Sequence, residues 1–490
     1  MPLAEPRPPQ PATRSSPSLC AYSGEPECSP LFLFQRNRLR AIQSRTIPAR
    51  EVSLPLNRSI GRWAFTALVV NTIVGSGIFG IPTPLNAVVE RASPIAMILA
   101  GLAIGLMMAC FAEVASSFTE PGGAYLYTRT AFGRFAGMQI GWFSWLAPMG
   151  TSAAAANLFT DYLSAFLPFA TTTAGRATII TALFLFLAVA NCLGVKVGAN
   201  LSSVFTIAKL LPLATLIALG LAYFFGHPEV FQHAQPAPPG FSPWVSAMLL
   251  LSFAYAGFEN ALLPSGEVKN PQRTVPFALA AGLLLCITVY ALVQFVDVAV
   301  IGTAPVDRPL ASVASILIGK AGVIFVTLAA LISTFGHLSA VLLATPRLTY
   351  SLAERDDFPK IFARLHPRFE TPYVSILAFS ALTCLLAISG TFRWAIAMAS
   401  GAVIVIYAAV CASLIQLRRG HSTHPTLRLP FGPAIATFCI AIALVLLVRL
   451  TLREGFLLLV TFAIATIHWL FVRNRSHVPD PTLPKVESLS

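Results

Sequence analysis

NTIVGSGIFGIP, residues 71–82, is the stretch on which the reading of this chain turns. It lies in an apolar run from about 64 to 89, long enough to cross a bilayer as a helix. Yet it carries Gly75, Ser76, Gly77 and Gly80, with Pro82 and Pro84 just behind. Glycine and proline are among the poorest helix formers. Irregular backbone at membrane depth is tolerated only where it faces protein or a water-filled cavity. Small residues at this spacing also let helices pack closely, but four breakers within GSGIFGIP favour an unwound turn. Such a turn frees amides at the start of one half-helix and carbonyls at the end of the other, which suits a zwitterion.

The surrounding composition sets the solvent. Of 490 residues, 56% are hydrophobic and 11% charged, and the mean hydropathy is +0.73. That excludes an ordinary soluble domain and indicates a polytopic membrane protein. Twelve apolar segments can be counted, at about 64–89, 93–118, 134–160, 176–195, 199–225, 243–265, 275–302, 311–345, 373–390, 394–417, 431–448 and 455–472. The first, third and eighth are longer than a span needs, so tilt or interruption is expected there.

The net charge of +13 invites a nucleic-acid reading, but its distribution argues against one. With the N-terminus in the cytoplasm, 25 of the 33 Lys and Arg fall on the cytoplasmic side and 7 outside. The remaining one, Lys209, lies inside a span. This is the positive-inside pattern of a plasma (inner) membrane protein with both termini cytoplasmic. Six of the eight cysteines, Cys110, Cys192, Cys286, Cys384, Cys411 and Cys439, fall in apolar segments, where a free thiol is a small hydrophobe. No outside loop offers a thiol to a disulfide-linked partner subunit.

Residues 1–61 form a separate unit, expected to be a disordered cytoplasmic tail; the first thirty hold eight prolines and little apolar pattern. A translation start downstream, for example at Val52, would equally account for so unpatterned a stretch. The rest divides into a ten-helix core at 62–420, two further helices at 421–475 and a cytoplasmic tail at 476–490.

A second interruption appears in the sixth segment, LLLSFAYAGFENALLPSGEVKNP, residues 249–271. Ala254, Ala256 and Gly257 form a small-residue patch, with Glu259 and Pro264 beyond. Broken segments five apart match an inverted five-plus-five repeat, with halves at about 62–225 and 243–418. The expected fold class is therefore all-α, with twelve transmembrane helices of which the first and sixth are broken.

Five motifs in order carry a resemblance to a known family. They are GSGIFGIP, EPGGAYLYTRTAFGRFAG (120–137), FAYAGFE, SGEVKNPQRTVP (265–276) and RLTYSLAERDDFPKIFARLHPRFETP (347–372). Together they resemble the amino acid permeases of the amino acid–polyamine–organocation superfamily, over about residues 58–475. The resemblance implies a LeuT-type fold and alternating access. It implies that Gly75, Ser76 and Gly77 form the carboxylate-binding turn, with the Ile73 carbonyl near the substrate amine. Phe253 matches the aromatic that covers the substrate, and the carbonyls of Phe253, Ala254 and Ala256, beside Gly257, complete the amine site.

Ionisable residues within spans are functional candidates by default. Lys209, in FTIAKLLPL, lies about ten residues into its span, too deep for easy snorkelling. The resemblance implies that it replaces a sodium ion and bridges the broken first helix to the eighth, through Ser333 and Thr334. If it releases its proton in the cycle, transport is proton-coupled; if it stays charged, it is a strut in an exchanger or facilitator. Glu259 matches a gating acid of the antiporters and equally fits a structural hydrogen bond. A lone membrane histidine is ordinarily packed and satisfied, but His337 in STFGHLS is kept as a pocket candidate. Glu113 reads as a partner for the loop after the second segment, and Asp161 and Asp297 as solvated residues near outer span ends.

No GxSxG, HExxH or P-loop stands in a plausible context, so no enzyme, metal or cofactor is expected. His421 and His424 resemble a metal pair only in spacing. The expected function is sodium-independent transport of an amino acid, a neutral one given that Ala254, Ala256, Phe253, Phe258 and Ser144 are inferred to line the pocket. A polyamine, organic amine or cationic amino acid carrier is the alternative, and a non-transporting amino acid sensor the third reading. Substrate, lipid bilayer and, in the coupled version, protons are the expected partners.

Overall fold

The computed structural model describes residues 61–118, 123–193, 199–227, 239–262, 268–369, 371–420, 425 and 427–473, side chains at 199–205 and 271 excepted. The two expected tails, Pro264, Cys20, Cys28 and the pair His421 and His424 lie outside the described residues.

Every described element is helical apart from turns and an isolated bridge. The first apolar segment becomes α1 (Arg62–Ile73), α2 (Gly77–Gly80) and α3 (Pro82–Val89). There follow α4 (Ser93–Ser116), α5 (Gly123–Phe132), α6 (Arg134–Leu163), α7 (Thr173–Cys192) and α8 (Ala199–Gly226). The sixth segment splits into α9 (Phe241–Tyr255) and α10 (Phe258–Ala261). The remainder is α11 (Pro271–Val300), α12 (Pro309–Glu354), α13 (Tyr373–Ser389), α14 (Phe392–Gly420), α15 (Gly432–Leu447) and α16 (Leu452–Val472). Among the described residues, nine helical stretches are long and apolar enough to cross a membrane, and α13 and α15 are shorter apolar helices.

α6 is the axis of the packing, with α14, α12, α13, α16 and α5 against it. Protein on all sides explains why a 30-residue helix carries Gln139, Ser152, Asn157 and Thr160 buried along its length. By contrast α7 and α16 turn Leu185, Phe186, Leu459 and Phe471 outward, the apolar belt a bilayer covers.

The expected interruption of the eighth segment is found at Gly319 (φ 66°), where α12 kinks from a short first part into a long second one. Its direction change needs a backbone conformation that side-chain-bearing residues avoid. Two local expectations are corrected. Asp297 is not solvated but 2% exposed, accepting from Asn86 Nδ2 at 2.9 Å, because α11 packs against α3 there. Glu113 accepts from Arg418 Nε at 2.7 Å and from the Leu429 amide at 2.9 Å, so among the described residues the loop it braces is that between α14 and α15. Asp161, only partly exposed, pairs with Arg176.

Candidate substrate site

The two interruptions meet. α1 ends at Ile73, Val74 turns out of helical geometry (ψ 89°), and the chain re-enters a helix only at Gly77. In the sixth segment Ala256 is extended (ψ 161°) and Gly257 left-handed (φ 111°). A Cβ on Gly257 would lie 2.4 Å from the Thr72 carbonyl oxygen, so only glycine permits both this φ and this approach. A Cβ on Gly77 would sit 3.1 Å from the Ala254 Cα. A side chain at 77 would therefore press the two breaks apart.

At the first break, donors from three other helices hold the freed carbonyls. Lys209 Nζ of α8 donates to the carbonyls of Asn71 at 3.3 Å and Val74 at 3.0 Å. Ser333 Oγ of α12 donates to the Gly75 carbonyl at 3.2 Å. Tyr290 Oη of α11 lies 3.1 Å from the Ile73 carbonyl and 3.3 Å from that of Ala254, joining the two breaks. The amides of Gly75, Ser76 and Gly77, in contrast, donate to no described group, and Ser76 Oγ is buried without a partner. The turn thus presents unspent donors, the positive end of a half-helix.

The second break is held from within. Glu259 Oε2 accepts from the Gly257 amide at 3.0 Å and from Tyr407 Oη at 2.8 Å. The structural hydrogen bond weighed for Glu259 is therefore present, and Glu259 also lines the cavity.

Between the breaks opens a cavity of about 260 Å³, near the lower end of small-ligand pockets, roughly 300 Å³. Ile73, Gly75, Ser76, Gly77, Phe253, Ala256, Gly257, Glu259, Lys209 and His337 line it, as does Ser144. Ala254 stands behind Gly77 with its carbonyl on Tyr290, and Phe258 is buried between Phe111 and Tyr407 rather than in the cavity. Ser333 and Thr334 do not reach Lys209. Ser333 bonds the break directly, and Thr334 Oγ1 folds back onto the Ala330 carbonyl of its own helix at 2.7 Å. His337 faces the cavity from beside Gly75, its Nε2 without a partner. Lys209 and Glu259 are the only formally charged side chains among the described lining residues.

The cavity extends toward α5 and the far half of α12, past Tyr125, Ala344 and Leu348. Tyr125 belongs to a cluster missed in the sequence: its hydroxyl donates to Asp357, which also binds Arg129 and, at 2.7 Å, Arg134 Nε. Burial pushes the Tyr125 phenol above its ordinary range, which keeps it a donor. At the other end neighbouring segments are tied together. Tyr162 Oη donates to the Phe79 carbonyl at 2.9 Å and Thr83 Oγ1 to the Val306 carbonyl at 2.8 Å. Asn86, Ser93, Gln294 and Asp297 form a buried network beside them.

Two facing half-helix breaks beside a cavity in a helical bundle suit a membrane transporter, and comparison with known proteins agrees. The family model for amino acid permeases matches residues 60–471. The serine/threonine exchanger SteT of Bacillus subtilis is 29% identical over 342 residues, 68% of this chain and 76% of that protein. The branched-chain amino acid permease BcaP of Bacillus subtilis is 26% identical, covering 90% of this chain and 98% of that one. The methylthioribose transporter of Bacillus subtilis is also 26% identical, over 88% and 96% respectively. The chain belongs to the amino acid permeases of the amino acid–polyamine–organocation superfamily, a family of transporters rather than enzymes.

Proposed function

We propose that this permease carries a neutral amino acid across the plasma membrane by alternating access, without sodium, driven by protons or by exchange. Three unspent amides at residues 75–77 beside a small cavity carry the reading, because they fit an α-carboxylate. The α-amine is met by carbonyls of the breaks, Ile73 and Phe253 among them. One Lys and one Glu on the wall suit a zwitterion with an uncharged side chain, and a polyamine would need several carboxylates. Among relatives of similar identity, BcaP and SteT are named for neutral amino acids and cationic amino acid transporter 4 for cationic ones, so the neutral reading rests on the cavity wall.

Twelve spans in a LeuT-type five-plus-five arrangement, with both termini cytoplasmic, fit the helix order and the asymmetry of Lys and Arg. In that orientation the cavity opens inward. Lys209 takes the place of a bound cation by tying the first break through its own amine. Uptake into proteoliposomes, with labelled neutral and cationic amino acids and polyamines in sodium-free buffer, tests this. Leucine, alanine or serine should accumulate. Preference for arginine or putrescine, or binding without uptake, would replace the reading with a cationic carrier or a sensor. Acidification of the vesicle interior alongside uptake identifies the proton-coupled form, and its absence the exchanger.

A further inference from the structure

Away from the cavity, three of the free cysteines converge. Cys110 comes from α4, Cys411 from α14 and Cys439 from α15, helices that pack on one another. All three are fully buried, and their sulfurs lie within 4.8 Å of one another. Three sulfurs bound to one ion at the usual metal–sulfur distance of about 2.3 Å stand about 4 Å apart. The side chains therefore need little movement to close around a metal.

The donor set selects the ion. Thiol sulfurs are soft ligands and favour soft cations. Structural zinc takes four ligands, and among the described residues no fourth is offered. Glu113, one turn from Cys110, has both carboxylate oxygens on Arg418 and the Leu429 amide. Charge does not choose between ions, since a cation of charge n that displaces n thiol protons leaves the apolar interior neutral. A soft monovalent cation needs no fourth ligand: one thiol releases its proton as its sulfur–metal bond forms, RSH + M⁺ → RS–M + H⁺. The other two sulfurs complete the coordination through lone pairs.

We propose that Cys110, Cys411 and Cys439 form a binding site for a soft monovalent metal ion, Cu(I) or one of like chemistry, that fastens α15 to α4 and α14. The site is separate from the substrate cavity, which none of the three cysteines lines.

The test uses the full-length protein in detergent, with Cys20, Cys28, Cys192, Cys286 and Cys384 replaced by alanine. Cu(I) is supplied under anaerobic reducing conditions against a competing chelator. One equivalent per chain should be retained, with an all-sulfur first shell by X-ray absorption and a raised melting temperature. Adding Cys439→Ala should weaken binding by at least about tenfold and abolish the melting shift. Should the five-alanine protein fail to fold, wild type and its Cys439→Ala variant are compared instead, and the variant should retain one equivalent less. No retained equivalent in the three-cysteine protein, or retention unaffected by Cys439→Ala, would overturn the proposal.

Discussion

The two breaks in this permease do the same geometric job by opposite means. The break at 74–76 is held from outside, by Lys209, Ser333 and Tyr290 on three other helices. The break at 256–257 is held from within, by a left-handed glycine and the carboxylate two residues on, with Tyr407 in support. The first spends its carbonyls on neighbouring helices and leaves its amides bare. The second spends an amide on Glu259. Both breaks also answer to α11, through Tyr290, but the first keeps three bare amides.

That contrast can be broken most severely at Lys209. Lys209→Ala removes two bonds into the first break, together about 3 kcal/mol, so uptake should drop about a hundredfold. Cavity water reaches the bared carbonyls, so expression measured by fluorescence chromatography should hold. Uptake near wild type would show that the first break holds itself.

Gly257→Ala strikes the second break instead. The combination of φ 111° and a Cβ 2.4 Å from the Thr72 carbonyl leaves no relaxed position. The expected cost is about 2–3 kcal/mol in folding stability, read as a lower melting temperature. An unshifted melting temperature would mean that the second break tolerates rearrangement.

Tyr290→Phe removes a hydroxyl shared by both breaks, about 1 kcal/mol. The KM for uptake should rise several-fold while the melting temperature falls slightly. An unchanged KM would show that the breaks are positioned independently.

The smallest effect is expected from Glu259→Gln, because the amide oxygen still accepts from Gly257 and Tyr407. Stability should change by less than about 1 kcal/mol. If proton-driven accumulation nonetheless disappears while exchange survives, Glu259 carries the coupling proton as well as the turn.

The helices were legible in the sequence because apolar run length is a strong signal, and the apolar segments correspond to the helices within a few residues at most ends. So were the breaks, since GSG and AYAG announce themselves as poor helix. What could not be read is which neighbours hold them. Tyr290 and Tyr407 look like ordinary aromatics of apolar helices, and nothing local tells that their hydroxyls meet the breaks. Ser333 was picked as a neighbour of Lys209, but its bond goes to the Gly75 carbonyl, a difference of one partner that only packing decides. Asp297 failed for a similar reason, because position near a span end says little about burial once another helix covers it. The Asp357 cluster had a signal, charges concentrated in the motifs at 120–137 and 347–372, but not their pairing.

The central claim is that the bare amides at residues 75–77 bind a substrate carboxylate, and amino acid amides test it most directly. Competition against labelled leucine uptake is measured in sodium-free proteoliposomes with leucine, alanine and their carboxamides. The carboxylates should compete and the carboxamides should fail, because they keep the amine and side chain but lose the anion. Equal competition by the carboxamides would contradict the claim.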